Sequence, residues 1–164
     1  MVPTDLSVLL EKTIEIAAHD YDLKKKYDFR HIDIIREFDN DLPAVPCVAT
    51  EIEQVVLNLL RNASQAITEK QFTKETPKII LRLKKAGNMA RLEIEDNGPG
   101  IKEENRKRIF EPFFTTKSLG LGTGLGLSVS YFIITNNHQG TINVETTQGK
   151  GSKFIINLPL VRRQ

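Results

Sequence analysis

The residues best suited to chemistry in this chain are four glycines that lie between Gly120 and Leu127, in the run GLGTGLGL. Glycine is costly inside helices and strands, so this density favours a place where the backbone turns sharply or approaches a ligand. An apolar segment that ends near Ile134 follows and predicts a buried helix. A glycine loop that opens a helix presents free backbone N–H groups at the positive end of the helix dipole, which suits a phosphate group. A flexible linker is the alternative, although linkers are polar and this run is rich in leucine.

Two asparagines form a second candidate group. Asn58 and Asn62 lie in a predicted helix over about 51–69, and their spacing of four residues places them on one face. Thr50 and Glu53 match a capping box at its start. Its predicted core stripe consists of Ile52, Val55, Val56, Leu59, Leu60 and Ala63. Because asparagine amides compete with the helical backbone, the pair suggests a site that needs neutral amide oxygens; a partly exposed polar edge is the alternative.

A carboxylate at the end of a strand is the third candidate. The segments 78–84 and 89–95 alternate apolar and polar residues, and Gly87-Asn88 between them predicts a hairpin. The second strand runs into the sequence DNGPG at 96–100. This sequence either only terminates the strand or places the carboxylate of Asp96 where two glycines let a flat ligand come close.

The remaining pattern supplies the elements that must position these groups. An amphipathic helix is expected over about 6–19, with three N-cap candidates near its start and its end near His19. Those candidates are Thr4, Asp5 and Ser7. Further elements are expected at 27–38 (one strand or two), 102–109 (a short helix), 141–146 and 152–158 (strands). The run FEPFF at 110–114 is either core or a hinge, and opens a segment to Gly124 that we interpret as a lid, mobile without ligand.

Composition limits the class of protein. The 164 residues predict a single domain with a real core. A net charge of +2 favours neither nucleic acid nor a membrane surface as a partner. Cys47 is the only cysteine, which excludes an intrachain disulfide and fits a reducing compartment. No apolar run approaches ~18 residues and no signal-peptide pattern opens the chain, so no membrane-spanning helix is expected.

Taken in order, these motifs resemble the ATP-binding catalytic domain of sensor histidine kinases, within the group that includes gyrase, Hsp90 and MutL. The matching motifs are NLLRNA at 58–63 (N box), DNGPGI at 96–101 (G1 box), FEPFFTTK at 110–117 (F box), GTGLGLS at 122–128 (G2 box) and GKGSKF at 149–154. Four boxes in order, covering nearly the whole chain, form a specific signal that looks closest to nitrogen-regulation-type kinases. The resemblance implies an α/β (α+β) two-layer sandwich, with a mixed, mainly antiparallel sheet covered on one face by helices and with an ATP lid.

The resemblance also implies roles around the base of ATP. Asp96 would accept a hydrogen bond from the adenine amino group, which guanine replaces with a carbonyl. Gly98 and Gly100 would let the backbone reach the ring, and Ile101 would pack beside it. The Ser152 hydroxyl would assist Asp96 through water. Ala66 also belongs to the implied ATP-binding set, although many relatives carry an aromatic residue at this position.

Around the phosphates, the resemblance implies that Asn62 binds Mg²⁺ through its amide oxygen and that Asn58 assists one turn earlier. The cradle of backbone amides would be Gly122, Thr123, Gly124, Leu125 and Gly126. Lys117 would be a cation of the lid that reaches the γ-phosphate. The implied catalytic set is therefore Asn58, Asn62 and Lys117, with ATP and Mg²⁺ as cofactors.

The position of Asn58 separates two mechanisms within the family that the chain resembles. Relatives that hydrolyse ATP carry a glutamate there as general base, whereas an amide cannot take a proton at neutral pH. This favours phosphoryl transfer to a protein nucleophile. An ATP-hydrolysing conformational clamp and a non-catalytic nucleotide-sensing module are the alternatives.

None of the three histidines of the chain, His19, His31 and His138, lies in a phosphoacceptor motif. We therefore expect residues 1–164 to be one isolated catalytic domain without its phosphoacceptor hairpin, a sensor domain or a transmembrane segment. The expected partners are the phosphoacceptor helical hairpin of the same kinase and a response regulator. The expected location is the cytoplasm, with no direct membrane contact by this domain; membrane anchoring of the parent kinase is left open. His138 is interpreted as a structural turn residue.

Overall fold

The computed structural model describes residues 1–20, 29–72, 75–114 and 125–161. The strands are β1 (Val2–Thr4), β2 (Asp33–Phe38), β3 (Val45–Cys47), β4 (Lys78–Ala86), β5 (Met89–Asp96), β6 (Thr141–Thr147) and β7 (Gly151–Pro159). The helices are α1 (Leu6–Ala18), α2 (Ala49–Thr68), α3 (Glu103–Arg106) and α4 (Gly126–Phe132), with a 3₁₀ turn at Phe29–His31 and a π-helical turn at Ile133–Asn137.

The main sheet has the strand order β2-β4-β5-β7-β6. Strand β2 pairs with β4 in parallel, and the other three pairs of neighbours are antiparallel. The tight turn between β4 and β5 contains Gly87, whose φ of 62° is a conformation that glycine adopts at little cost. The mixed, mainly antiparallel sheet expected from the resemblance is therefore confirmed.

The hydrophobic core lies between one face of this sheet and the helices α1 and α2. Alternate residues of each central strand point into it, as the period of two predicts. The strand side chains in this layer include Ile79, Leu81, Leu83, Leu92, Ile94, Phe154 and Ile156. All six residues of the predicted apolar stripe of α2 are at most 2% exposed. The long helix is therefore fixed by burial of this stripe, which leaves its other faces available for a site.

The opposite face of the sheet carries ion pairs instead of helices. Arg82 on β4 contacts Glu93 and Glu95 on β5 and Glu37 on β2, at distances from 2.9 to 3.4 Å. Arg91 contacts Glu93 at 2.7 Å. The side chain of Glu93 is only 5% exposed, so two arginines compensate a carboxylate that the neighbouring strands bury.

The start of α1 follows local sequence rules. Asp5 is the N-cap and its carboxylate accepts the backbone N–H groups of Ser7 and Val8, at 3.0 and 3.4 Å. The Ser7 hydroxyl also donates to this carboxylate and, with these N–H groups, lowers the pKa of Asp5. Asp5 is therefore the N-cap among the three candidates.

The start of α2 does not follow the predicted capping box, which was wrong. The helix begins at Ala49, with Val48 as its N-cap and no side-chain cap from its own segment. The backbone N–H of Val48 donates to His138 Nε2 at 3.0 Å, and Asn137 Nδ2 donates to Glu51 at 2.7 Å. Residues that follow α4 thus make hydrogen bonds at the start of α2, where His138 accepts the N–H of the N-cap residue. These tertiary contacts take the place of a local capping box.

Two other predicted elements differ from the structure, one in its length and one in its burial. Residues 29–31 form a 3₁₀ turn and β2 starts only at Asp33, so the predicted strand over 27–38 is shorter, with 27–28 outside the described residues. The expected buried helix that follows the glycines is α4, and it is only partly buried. Its residues Tyr131 and Phe132 are 45% and 54% exposed, because only one side of α4 packs on α2.

A second, two-stranded sheet pairs β1 with β3, with Val2 opposite Cys47. Cys47 is 1% exposed, and this burial raises the pKa of its thiol. Within the described residues, no helix combines the length and apolar character needed to cross a membrane.

Candidate nucleotide-binding site

The site is built around Asp96, the last residue of β5, which is 4% exposed. Its Oδ1 atom accepts the backbone N–H of Gly98 at 2.9 Å. Burial raises the pKa of Asp96 to about 6, while hydrogen bonds from the N–H groups of Gly98 and Ser152 and the charge of Lys70 act in the opposite direction. The carboxylate is therefore ionised at neutral pH and lies in a mostly dry place, where a hydrogen-bond acceptor discriminates strongly between ligands.

The loop after Asp96 depends on two glycines. A Cβ atom at Gly98 would lie 3.2 Å from the Cβ of Ala66 and 2.9 Å from Asp96 Oδ1. At Gly100 the φ is +79° and a Cβ would lie 2.5 Å from the carbonyl oxygen of Thr147. The loop therefore passes between α2 and the β6–β7 hairpin with no room for side chains, as expected for backbone that must approach a ligand.

A pair of hydroxyl groups closes the other side of this loop. The backbone N–H of Ile101 donates to Thr146 Oγ1 at 2.8 Å, and Thr146 Oγ1 lies 3.0 Å from Ser152 Oγ. Ser152 is directly opposite Asp96 in the β5–β7 register. Thr146 was missed by the sequence interpretation, because only the pairing of β6 with β7 brings it to Ser152.

Lys70 is a second residue that the sequence interpretation missed. It follows the C-terminus of α2, and its ammonium group donates to the carbonyl oxygens of Asn97 and Gly149 at 3.0 and 3.1 Å. No local motif indicates this role. Its position two residues beyond a long helix is the only signal in the sequence, since a cation is favourable near a helix C-terminus.

The asparagine pair lies on α2 beside the start of α4. Asn58 Nδ2 donates to the carbonyl oxygen of Gly126 at 3.3 Å and to Ser130 Oγ at 3.4 Å, and Ser130 Oγ donates to the same carbonyl at 2.8 Å. The donors of the Asn58 amide thus face α4. Asn62 is half-buried one turn further along.

Helix α2 joins these two groups of residues. Asn58, Asn62 and Ala66 are spaced four residues apart, so they follow one another along one side of the helix. Asn58 contacts α4, and Ala66 packs against the loop that carries Gly98. This arrangement matches an elongated ligand with an anionic end near α4 and a flat end near Asp96.

The phenylalanines of the 110–114 run divide between core and surface. The Phe110 ring packs against Tyr131 and Phe154, with ring centroids 5.4 and 6.3 Å apart. Arg108 lies over the Phe114 ring at 4.7 Å. Phe113 is 74% exposed and has a φ of 66°, which is unusual for a bulky residue. The core alternative therefore holds for Phe110, which packs on the core, and the hinge alternative stays a prediction.

Part of the predicted phosphate site lies outside the described residues. These residues are Lys117, Gly122, Thr123 and Gly124, and the predicted mobile lid falls largely on the same segment. Leu125 and Gly126 are described, and they immediately precede and begin α4.

Residues 47–162 match the family described as histidine kinase-, DNA gyrase B-, and HSP90-like ATPase. The chain belongs to this ATPase family. The match includes every element that contributes to the site described above. The resemblance to histidine kinase catalytic domains is thereby confirmed, and family membership implies that the domain binds ATP.

Individual relatives point to the histidine kinase branch. Over 129 residues the chain is 41% identical to the signal transduction histidine-protein kinase AtoS of Escherichia coli. This alignment covers 79% of the chain and 20% of that protein. Over 139 residues it is 37% identical to the sensory histidine kinase/phosphatase NtrB of Vibrio alginolyticus, covering 81% and 39%. The catalytic domain of histidine kinase ThkA superposes with a TM-score of 0.78 and 32% identity over 98% of each chain. This chain therefore has the length and fold of a histidine kinase catalytic domain, and spans only 20% and 39% of the two curated relatives.

The residues of this ATPase domain fit adenine and, in their donor set, Mg²⁺. Asp96 is a buried acceptor beside Gly98, where a Cβ atom would collide with Ala66 and with this carboxylate. Among the described residues, no group of three or more His, Cys, Asp or Glu side chains could hold a metal ion. Asn62 and Asn58 carry amide oxygens, and amide and phosphate oxygens are hard ligands of the kind that Mg²⁺ prefers.

Proposed function

We propose that this chain is the ATP-binding catalytic domain of a two-component sensor histidine kinase. It would transfer the γ-phosphate of ATP to a histidine on a separate dimerisation hairpin of the same kinase, from which a response regulator takes it. The observation that carries this proposal is the buried carboxylate of Asp96, which accepts the N–H of Gly98 at a point where a side chain on residue 98 would collide with α2. This phosphoryl transfer would take place in the cytoplasm.

Selectivity for adenine follows from the chemistry of Asp96. An ionised carboxylate accepts hydrogen bonds and cannot donate them, so it pairs with the amino group of adenine. Guanine presents a carbonyl at that edge, and two acceptors facing each other in a dry pocket cost free energy. Gly98 and Gly100 would bring the backbone to the ring, with Ile101 beside it and Ser152 acting on Asp96 through water.

The phosphates would lie towards α4. Asn62 would bind Mg²⁺ through its amide oxygen, with help from Asn58. When bound, Mg²⁺ would neutralise part of the phosphate charge. The backbone amides of 122–126 would cradle the phosphates, and Lys117 would reach the γ-phosphate. Asn58 has a further task that its contacts support: its amide donors fix the first turn of α4 through Gly126 and Ser130.

The chemistry itself asks little of a general base. An imidazole nitrogen of the acceptor attacks the γ-phosphorus, an N–P bond forms, and the P–O bond to the bridging oxygen breaks as ADP leaves. The proton on the other imidazole nitrogen is lost to solvent. Positioning and charge neutralisation dominate such transfers, so the amide at Asn58 is compatible with transfer and unsuited to activating water.

A phosphotransfer assay with labelled ATP and Mg²⁺ tests the proposal. The purified chain alone should stay unlabelled, and a cognate hairpin added in trans should gain acid-labile label. The reaction should be slow, because it lacks the high effective concentration that a covalent linker provides. Asn62→Ala should abolish transfer, whereas Asn143→Ala, on the exposed edge strand β6, should leave it unchanged.

Three results would contradict the proposal. Acid-labile label on the chain alone would mean that His19, His31 or His138 is an acceptor. Fast ATP hydrolysis without transfer would favour the conformational clamp, and would require a base other than Asn58. Nucleotide binding with neither reaction would favour a sensing module.

A further inference from the structure

Lys70 makes an unusual set of contacts for a lysine outside the family motifs. Its side chain is 18% exposed, and its Nζ atom lies 3.2 Å from Glu75 Oε1, 3.0 Å from the carbonyl oxygen of Asn97 and 3.1 Å from that of Gly149. The ammonium group also lies 5.2 Å from the centre of the Phe72 ring. Lysine side chains usually extend into water, so this one gives up rotamer freedom to make these contacts.

The three contacts use the full donor capacity of an ammonium group. An ammonium ion has three N–H bonds, and here three acceptors receive them. The acceptors belong to three segments that are remote in sequence: the stretch before β4, the loop after β5 and the hairpin between β6 and β7. One charge at the end of α2 thus connects three parts of the chain.

These segments frame the carboxylate of Asp96. The backbone N–H of Gly149 donates to the carbonyl oxygen of Pro99 at 2.7 Å, which joins the two loops directly. The Asn97 side chain accepts the N–H of Lys78 at 2.8 Å and donates to the carbonyl oxygen of Thr76 at 2.9 Å. Lys70 is the cationic donor of this network, and hydrogen bonds from a charged donor are the stronger ones.

We propose that Lys70 is a positioning residue for adenine recognition, because it fixes the loops on both sides of Asp96. This inference rests on the proposed ATP binding. Lys70 does not need to touch the nucleotide: it acts by holding the backbone of 97–101 and 147–151 in the arrangement that the base requires.

Lys70 also affects the charge state of Asp96. Two charged side chains influence the pKa of this carboxylate within the described residues: Glu95 raises it and Lys70 lowers it. Loss of the ammonium charge therefore moves the pKa of Asp96 upwards, and a larger fraction of the carboxylate is protonated near neutral pH. A purely structural lysine would have no such effect on a pH profile.

Four variants separate these effects. Lys70→Met keeps the length and removes both charge and donors, and Lys70→Gln keeps N–H donors without charge. Glu75→Gln removes the exposed ion-pair partner and leaves both carbonyl contacts. Lys12→Met is the matched control, since it removes the same charge from an ion pair with Glu53 near the opposite end of α2.

The readout is the affinity for a fluorescent ATP analogue from pH 5 to pH 8. We expect Lys70→Met to lose about tenfold or more in affinity at pH 7.5, as unpaired carbonyl groups let the loops move. Its midpoint for loss of binding on acidification should lie at a higher pH than that of the wild type. Lys70→Gln should show the same rise with a smaller loss, and Glu75→Gln and Lys12→Met should stay within about threefold.

Wild-type affinity and an unchanged midpoint in Lys70→Met would overturn the inference. If Lys70→Met does not unfold cooperatively, Lys70→Gln decides by the same criteria. Amide exchange of 97–101 and 147–151 without nucleotide gives a second, independent test, because both segments should exchange faster in the Lys70 variants. A wild-type chain that fails to bind ATP would refute the proposed function, while this exchange measurement would still confirm or refute the role of Lys70.

Discussion

The imidazole of His138 accepts the backbone N–H of Val48 through Nε2 at 3.0 Å, and its Nδ1 lies 2.9 Å from the carbonyl oxygen of Ile133. A carbonyl oxygen can only accept, so Nδ1 carries the proton and Nε2 provides a lone pair. The ring is 4% exposed. A neutral histidine therefore joins the end of the α4 segment to the first turn of α2, which extends the turn role expected for it.

Replacement of His138 should destabilise the fold. His138→Ala removes the acceptor of the half-buried N–H of Val48 and the ring contact with the buried carbonyl of Ile133, and we expect a loss of about 1–3 kcal/mol in the free energy of unfolding. Urea denaturation measures it. His19→Ala is the control, because His19 is exposed and its ring contacts the carbonyl oxygen of Glu15 in its own helix; it should cost less than about 0.5 kcal/mol. Equal losses in both variants would refute the interhelical role.

ATP binding should depend on the ionisation of Asp96. Because burial raises the pKa of Asp96 to about 6, affinity should fall as the pH drops through that value. Asp96→Ala should lose ~1–3 kcal/mol or more of binding free energy at pH 7.5, since adenine donors would remain unpaired. Titration with a fluorescent ATP analogue checks both effects. Unchanged affinity in Asp96→Ala would exclude the adenine role.

The same carboxylate should lower the stability of the empty protein. Its pKa rises from 3.8 to about 6 on folding, so the native state holds a proton that the unfolded state has lost, and stability falls as the pH rises through this window. Asp96→Asn should therefore stabilise the protein at pH 7.5, by at most about 3 kcal/mol. The gain should vanish below about pH 4, and Asp33→Asn, at an exposed site, should change the stability little at pH 7.5.

Gly98 should be intolerant of any side chain. The Cβ atom of Gly98→Ala would meet Ala66 on α2 and Asp96 Oδ1 at the distances given above, so the loop must shift away from the carboxylate. We expect an affinity loss of about tenfold or more in the same titration. Gly87→Asn is the control, because its added Cβ meets no atom within 4 Å and asparagine tolerates a positive φ. An unchanged affinity in Gly98→Ala would show that the loop can accommodate a side chain at this position.

On the open face of the sheet, Arg82→Met should cost stability. Glu93 would lose one of its two arginine partners, and we expect a loss of about 1–3 kcal/mol in urea denaturation at pH 7. Burial opposes it, but the hydrogen bond from Arg91 lowers the pKa of Glu93, so the Arg91–Glu93 pair stabilises the protein at neutral pH and loses this contribution on acidification. Arg106→Met removes only an exposed pair within α3 and should change little. A similar small effect in Arg82→Met would mean that the network adds no stability.

The parts of the fold that depend on repeating patterns were predictable from the sequence. Alternation predicted β4 and β5, and the apolar stripe predicted the burial of α2 within two residues at each end. The strand end at Asp96 was also predicted correctly, whereas the role of this carboxylate towards adenine stays a prediction. These patterns work because burial on one face imposes a period on the sequence itself.

The parts that depend on remote neighbours were not predictable. Thr50 and Glu53 satisfy the local capping rule, yet His138 and Asn137 reach the start of α2 from almost 90 residues away. Lys70 and Thr146 belong to no motif, and their contacts arise only from strand register and from where a helix ends. Tertiary contacts of this kind leave no periodic trace along the chain.

The burial of Cys47 has a practical consequence. Because Cys47 is the only thiol and is a buried residue of the β1–β3 sheet, a thiol-specific reagent can modify it only when this region opens. The rate at which the reagent labels the unmodified protein therefore measures how often this region opens locally. Comparison of that rate with the rate of global unfolding reveals whether the small sheet detaches by itself or only together with the main core.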